Sequence, residues 1–407
     1  MINLAVSVVV GLQYGDEGKG KVVDYLSRDY DIVARYNGGD NAGHTLYRNG
    51  TKIALHLVPS GILERKICVI GNGVNINLDS LVREINEIQD KFGFDPLPYL
   101  YLSDRAHIIL PQDIEASKGD GNSTGKGIGP SYARKASRKG IRLADLYNIS
   151  DGVKEERFEV DGINRLVEVA QRFRHKTVNV SKFLHEARLK GQSILFEGAQ
   201  GSGIDLDHGQ YPYVTSSSCV SGGACTGIGI GPTRIDNVIG VAKVYTTRVD
   251  GNQESPFPTQ LDSELETLLR ECGNEFGATT GRPRRCGWFD LVQVNDAIIV
   301  NGADEIILTK LDVLDNLDEI KVCVAYEIDG TVVNDYPETD FKLRKIIPIY
   351  HNFNGWRGET TKAITNSDDL PRNALRYIEF LQSNLLGRII HISIGPEAGE
   401  VIKLKST

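Results

Sequence analysis

The chain has 407 residues, room for two or three average domains or for one large α/β sheet with insertions. Hydrophobic residues at 40% and charged residues at 25% build a sizeable core and exclude a disordered chain. A formal net charge of -8 with no long Lys/Arg block excludes a phosphate-tracking nucleic-acid surface, so any phosphate site is local. No apolar run approaches the roughly 18 residues of a membrane span. Six cysteines (Cys68, Cys219, Cys225, Cys272, Cys286, Cys323) lack CxxC spacing, and no charged, apolar leader precedes Leu4. Both features fit a reducing cytoplasm without structural zinc.

Taken in chain order, short β-branched runs recur between amphipathic stretches: 4–10, 32–36, 67–70, 194–197, 238–245, 305–312 and 389–393. The alternation predicts an α/β fold with a large, mainly parallel central sheet, helices on both faces, and a P-loop-NTPase-like layout with subdomain insertions. Runs such as Ile306-Ile307-Leu308 lack period-2 polarity, as central strands covered on both faces do. Helices are predicted over 19–26, 291–301 and 371–382, the last with proline in its first turn. No repeat or Pro/Ser linker divides the chain. The expectation is one domain over 1–407 with a helical insertion at about 148–190.

The first strand runs into Gly11-Leu12-Gln13-Tyr14-Gly15-Asp16-Glu17-Gly18-Lys19-Gly20-Lys21 and then a helix. Glycines let backbone N–H groups approach phosphate oxygens, and the helix N-terminus adds a favourable dipole. Walker A spacing fails, because Gln13 takes the first glycine position and Gly20 stands where Ser or Thr would hold magnesium. Asp16 is a candidate acid within this anion-attracting loop; read alone, it fits a helix-capping aspartate before a solvated lysine equally well. A second cluster, Gly38-Gly39-Asp40-Asn41-Ala42-Gly43-His44-Thr45, follows the second strand, at the carboxyl end where open α/β sheets bind ligands. His44 alone reads as a satisfied turn histidine as readily as a catalyst.

Together these loops resemble the adenylosuccinate synthetase family, whose GDEGKGK stands here at 15–21 and whose GGxNAGHT stands at 38–45. The resemblance continues through 123–130 (STGKGIGP), 197–201 (EGAQG), 211–217 (YPYVTSS), 277–285 (GATTGRPRR), 309–312 (TKLD) and 393–396 (SIGP). Eight ordered signatures span nearly the whole chain.

The resemblance implies a ligase of purine biosynthesis: GTP phosphorylates O6 of IMP, and the amino group of L-aspartate then displaces phosphate at C6. It implies that Asp16 removes the N1 proton, Lys19 neutralises the transferring phosphoryl group, Gln200 steadies the 6-oxyanion and His44 donates toward the GDP leaving group. Magnesium would be held by Asp16 and the Gly43 carbonyl, an oxygen shell. The purine nucleotide would be bound by Asp16, Asn41, Thr124, Gln200, Thr215, Val249 and Arg282, with Arg138 donated across a homodimer. Aspartate would be bound by Thr279, Thr280, Arg282 and Arg284, since guanidinium forks match carboxylates. GTP would be bound by Gly15, Glu17, Gly18, Lys19, Gly20, Gly43, His44, Thr45, Lys310, Asp312, Ser393 and Gly395, with Asp312 reading guanine N1–H and its 2-amino group.

Departures from the family pattern are also visible. After Thr247-Arg248-Val249 the loop 250–255 is longer and more acidic than usual, beside the expected ribose site. A virus-associated branch uses dGMP and replaces the loop aspartate with serine; retention of Asp16 favours IMP. A non-catalytic GTP-binding switch would require neither the arginine loop nor Gln200.

Overall fold

A computed structural model describes residues 6–118, 124–249, 254–277, 281–337 and 339–404. The central sheet has ten strands: β1 (Val6–Gly11), β2 (Ile32–Arg35), β3 (Ile67–Ile70), β4 (Leu100–Ser103), β5 (Thr177–Val178), β6 (Ile194–Glu197), β7 (Asn237–Lys243), β8 (Glu305–Thr309), β9 (Arg388–Ser393) and β10 (Val401–Lys403). Their order across the sheet is β10-β9-β8-β7-β1-β6-β2-β3-β4-β5. All neighbours are parallel except β9 and β10.

The apolar runs distribute their residues to two cores by the alternation of a strand. Val8, Val10, Ile194, Phe196, Ile306 and Leu308 enter one cluster, whereas Val9, Leu195 and Ile307 enter the other. Both faces are covered, so every position of the run is apolar, and each such buried side chain contributes about 1.5–3 kcal/mol. Helices α1 (Lys19–Leu26) and α2 (Leu78–Phe92) pack on the second face. Helices α3 (Leu291–Asn301) and α4 (Arg372–Asn384) pack on the first.

All seven predicted strands lie in this sheet. The run expected over 305–312 ends as strand at Thr309, because Lys310 takes a left-handed conformation (φ 63°) and a short 3-10 turn, Leu311–Asn316, follows. The stretch expected to be helical holds helices Ile163–Gln171 and Val180–Leu189, but it also contributes β5 to the sheet edge. A second, smaller sheet was not legible in sequence: Phe289–Asp290, Glu319–Ile328, Thr331–Val333 and Ile347–Asn354 pair beside the main one. Among the described residues, no helix is long and apolar enough to cross a membrane.

With β6 and β7 flanking β1, the chain runs outward in both directions from the middle of the sheet. The carboxyl ends of β1, β2, β6, β7, β8 and β9 therefore open on one edge, the usual ligand crevice of such sheets.

Candidate active site

The loop after β1 is built around two side chains, Gln13 and Glu17, whose structural tasks are not visible in the sequence. Lys243 N–H donates to Gln13 Oε1 (2.9 Å), and Gln13 Nε2 donates to the Tyr245 carbonyl (2.9 Å). The residue that breaks the Walker pattern is thus a buried strut between the ends of β1 and β7. Glu17 is wholly buried and accepts from the N–H groups of Gln13 (3.1 Å) and Gly15 (2.8 Å) while pairing with Lys19. Its carboxylate faces into the loop, so any contact of Glu17 with a nucleotide falls to its backbone. Gly18, at φ 89°, turns the chain into α1 without a side-chain cap, leaving the first amides of the helix to an anion. A Cβ on Gly20 would lie 2.6 Å from His44 Cβ, so a Ser or Thr is sterically excluded where a Walker loop carries one.

That contact fixes the second glycine loop against the first. His44 is buried, and its Nδ1 meets the carboxylate of Glu197 at the end of β6. Glu197 also accepts from Ser60 N–H (2.8 Å) and Ser60 Oγ (2.6 Å). Burial alone would raise the Glu197 pKa, but His44, Arg35 and Ser60 hold it below the usual value, so the carboxylate is ionised. Burial lowers the His44 pKa despite that carboxylate, so the ring is neutral and donates Nδ1–H to Glu197, leaving Nε2 as an acceptor. Gly43 and Thr45 flank it at the start of a hairpin in which Thr45 faces Ala54. Asn41 Oδ1 accepts from Gly39 N–H (3.1 Å).

Asn37 ties this loop to the one after β6: its Nδ2 donates to the Ala199 carbonyl (3.1 Å), and its Oδ1 accepts from Ala199 N–H (2.9 Å). The next residue, Gln200, is left-handed (φ 62°), and its Nε2 is buried without a hydrogen-bond partner among the described residues. An orphaned donor of this kind costs about 1–3 kcal/mol unless a ligand takes it.

Asp16, left-handed at φ 60° and partly exposed, lies 2.9 Å from Arg284 Nε, an ion pair without hydrogen-bond geometry. Arg284 is nearly buried and also pairs with Glu275. The expected aspartate binder therefore lies against the expected base. Arg282 is half-buried, its carbonyl accepting from Gly277 N–H (2.8 Å). Thr279 and Thr280 lie outside the described residues.

Farther along the edge, Lys310 donates to the Gly273 carbonyl (2.6 Å) and to Glu275 (2.7 Å). Asp312 is half-buried and forms no ion pair with a described residue; burial raises its pKa, with Lys362 opposing. Lys21, unassigned from sequence, donates to Ser393 Oγ (2.7 Å) and to the Glu400 (3.0 Å) and Gly395 carbonyls, so it holds the turn expected to line the guanine pocket. Burial lowers the Lys21 pKa to about 8.

Thr124 is exposed, Thr215 is half-buried and donates its N–H to the Ile204 carbonyl (2.8 Å), and Val249 is partly exposed. Arg138 is exposed and left-handed just past helix Ile128–Ala136. Of the longer loop at 250–255, only Glu254 and Ser255 are described; Arg285 holds its foot through the Ser255 carbonyl (2.8 Å) and Oγ (3.0 Å).

A phosphate cradle at the end of β1, joined to acid–base groups from two neighbouring strand ends, places the chain among α/β enzymes that act on nucleotides. A family model described as adenylosuccinate synthetase matches residues 8–402. The adenylosuccinate synthetase of Caldanaerobacter subterraneus subsp. tengcongensis is 44% identical over 99% of this chain and 100% of that one. That of Acaryochloris marina is 46% identical over 97% and 94%. The solved structure of fully ligated adenylosuccinate synthetase from Plasmodium falciparum superimposes with a TM-score of 0.90 at 36% identity, covering 98% of this chain and 100% of that one. A cyanophage S-2L succinoaminodeoxyadenylate synthetase, solved with dGMP and dATP, matches with a TM-score of 0.66 at 19% identity, covering 99% and 96%, and so shares the fold alone. The chain belongs to the adenylosuccinate synthetase family. It is a GTP-dependent ligase of purine biosynthesis that forms a C–N bond between L-aspartate and IMP.

Proposed function

We propose that Asp16, Lys19, His44 and Gln200 carry the two steps, phosphorylation of O6 of IMP by GTP and displacement of that phosphate by the amino group of aspartate. The observation that carries this reading is the buried, unpartnered Nε2–H of Gln200 beside the loop that holds Asp16. It is a donor placed for an oxyanion and otherwise unexplained. Asp16 takes the N1 proton, so that negative charge develops on O6, where Gln200 donates to it. Lys19 exchanges Glu17 for the phosphoryl oxygens. Arg284 leaves Asp16 for a carboxylate of the incoming aspartate, which frees the base as the last substrate arrives.

Magnesium fits this donor set. Among the described residues no group of three or more His, Cys, Asp or Glu side chains clusters as a metal cage. A single carboxylate, Asp16, with the Gly43 carbonyl suits an ion that takes its remaining oxygens from phosphates and water. When bound, the ion neutralises charge on the β- and γ-phosphates. Asn41, Thr124, Thr215, Val249 and Arg282 hold the purine nucleotide. The exposure of Arg138 supports its donation across a homodimer. Free cysteines throughout support a cytoplasmic setting, and the chain acts as one unit around its single large sheet.

The product assay offers IMP, deoxyinosinate, GMP and dGMP in parallel with GTP, magnesium and aspartate. IMP gives adenylosuccinate, and a dominant product from dGMP would overturn the substrate assignment. GTP with magnesium alone gives no turnover, whereas a GTP-binding switch hydrolyses it slowly.

Asp312 reads guanine through a carboxylate that forms no ion pair with a described residue, though Lys362 and Lys310 act on it at longer range. Asp312→Asn is expected to raise KM for GTP about 10- to 100-fold, the worth of one charge-assisted hydrogen bond, with KM for IMP unchanged. An unchanged KM for GTP in steady-state assays would remove Asp312 from the base pocket.

A further inference from the structure

We propose that Glu275 is a positioning residue that yokes the guanine pocket to the aspartate loop, so that each substrate senses the other through one buried carboxylate. The proposal rests on the reading of Lys310 and Arg284 given above.

Glu275 is wholly buried nine residues before Arg284, and its two oxygens are divided between the two proposed sites. Oε1 accepts from Lys310 Nζ (2.7 Å) and the Tyr245 hydroxyl; Oε2 accepts from Lys243 Nζ (2.9 Å) and the Arg284 guanidinium. Lys310 leaves β8 in its left-handed turn two residues before Asp312. Arg284 meets Asp16 with its other edge. Lys243 ends β7 and donates onward to Thr247 Oγ1 (2.5 Å). One carboxylate thus anchors the ends of two central strands and Arg284.

Three cations against one buried anion form a cluster that holds only while the anion keeps its charge. Burial alone would push the Glu275 pKa up, but Lys243, Lys310 and Arg284 together hold it well below the usual carboxylate range. Burial brings Lys243 down to about 8. Glu275 holds Arg284 and Lys310 in the positions from which they meet their substrates, so a shift of the carboxylate that follows one cation displaces the other. Coupling of this kind is reciprocal by necessity. The steps proposed above do not use Glu275 itself, whose four side-chain partners all belong to the protein.

The test is steady-state kinetics of the full chain with IMP, GTP and aspartate. Glu275→Gln preserves shape and removes the charge. It is expected to raise KM for aspartate and for GTP about tenfold each, with KM for IMP within about twofold. Lys310→Met is expected to raise KM for aspartate about threefold in the wild-type background and to leave it unchanged in the Glu275→Gln background, a non-additivity that a general loss of stability does not give. Tyr245→Phe removes one of the four partners of Glu275 and reproduces the aspartate and GTP effect at about twofold to fivefold; it decides the matter should Glu275→Gln fail to fold. Equal shifts in all three KM values, or a fall in kcat alone, would overturn the proposal. If Arg284→Leu leaves KM for aspartate unchanged, the aspartate-loop reading itself falls. If Arg284→Leu raises it while the Glu275 and Tyr245 variants do not, only the coupling falls.

Discussion

Asp16→Asn is expected to lower kcat by about 100- to 10,000-fold, the usual worth of a positioned general base, while IMP and GTP still bind. Asparagine is the informative substitution because Asp16 sits at φ 60°, a conformation that asparagine adopts with little cost and alanine does not. The backbone of the loop therefore stays in place, and the loss reports the carboxylate. Asp16 is also the proposed magnesium ligand, so the measurement is kcat across a magnesium titration. A deficit that persists at saturating magnesium belongs to proton removal, and one that titrates away belongs to the metal. A kcat within about tenfold of wild type at every magnesium concentration would remove Asp16 from the chemistry.

His44→Asn is expected to cost about 100-fold in kcat, and to abolish a proton uptake that accompanies GTP binding. The reason lies in the Glu197 contact. With Nδ1–H committed to that carboxylate and the pKa lowered by burial, Nε2 of the free protein can only accept. It becomes a donor to a phosphate oxygen only by taking a proton, which the triphosphate charge favours. The bound-state pKa is therefore higher than the free-state one, so GTP affinity is constant below the free-state value. Between the two values it weakens as pH rises, and above the bound-state value it levels off. GTP dissociation constants measured against pH for wild type and His44→Asn isolate the effect, since the nucleotide's own titration is common to both. Superimposable profiles would show that the ring does not change protonation.

The parts of this architecture that sequence conveys are those decided within a few residues. Glycine loops between a strand and a helix announce themselves, and so do runs such as Ile306-Ile307-Leu308, whose unbroken apolarity follows from two covered faces. What sequence hid depends on contacts across the fold. Glu275 draws its partners from positions 243, 245, 284 and 310, three of them at least 30 residues away in sequence, and nothing around Asn274-Glu275-Phe276 marks it. Glu197 was visible within a signature, but its task becomes clear only when β6 delivers it to His44. Gln13 looked like a defect in a phosphate motif until the end of β7 supplied its partners. The smaller sheet escaped because its long strand, Glu319–Ile328, pairs with segments on either side of it in sequence, one beginning at Phe289 and one at Ile347.

The closeness of Gly20 to His44 also limits what this scaffold can become. A hydroxyl-bearing side chain at that position, the ordinary means by which phosphate-loop enzymes grip their divalent ion, would drive the helix off the histidine hairpin and separate the two halves of the reaction centre. On the reading proposed above, the acid upstream of the lysine, Asp16, would then hold the ion as well as take the proton, so that one side chain would join the two tasks.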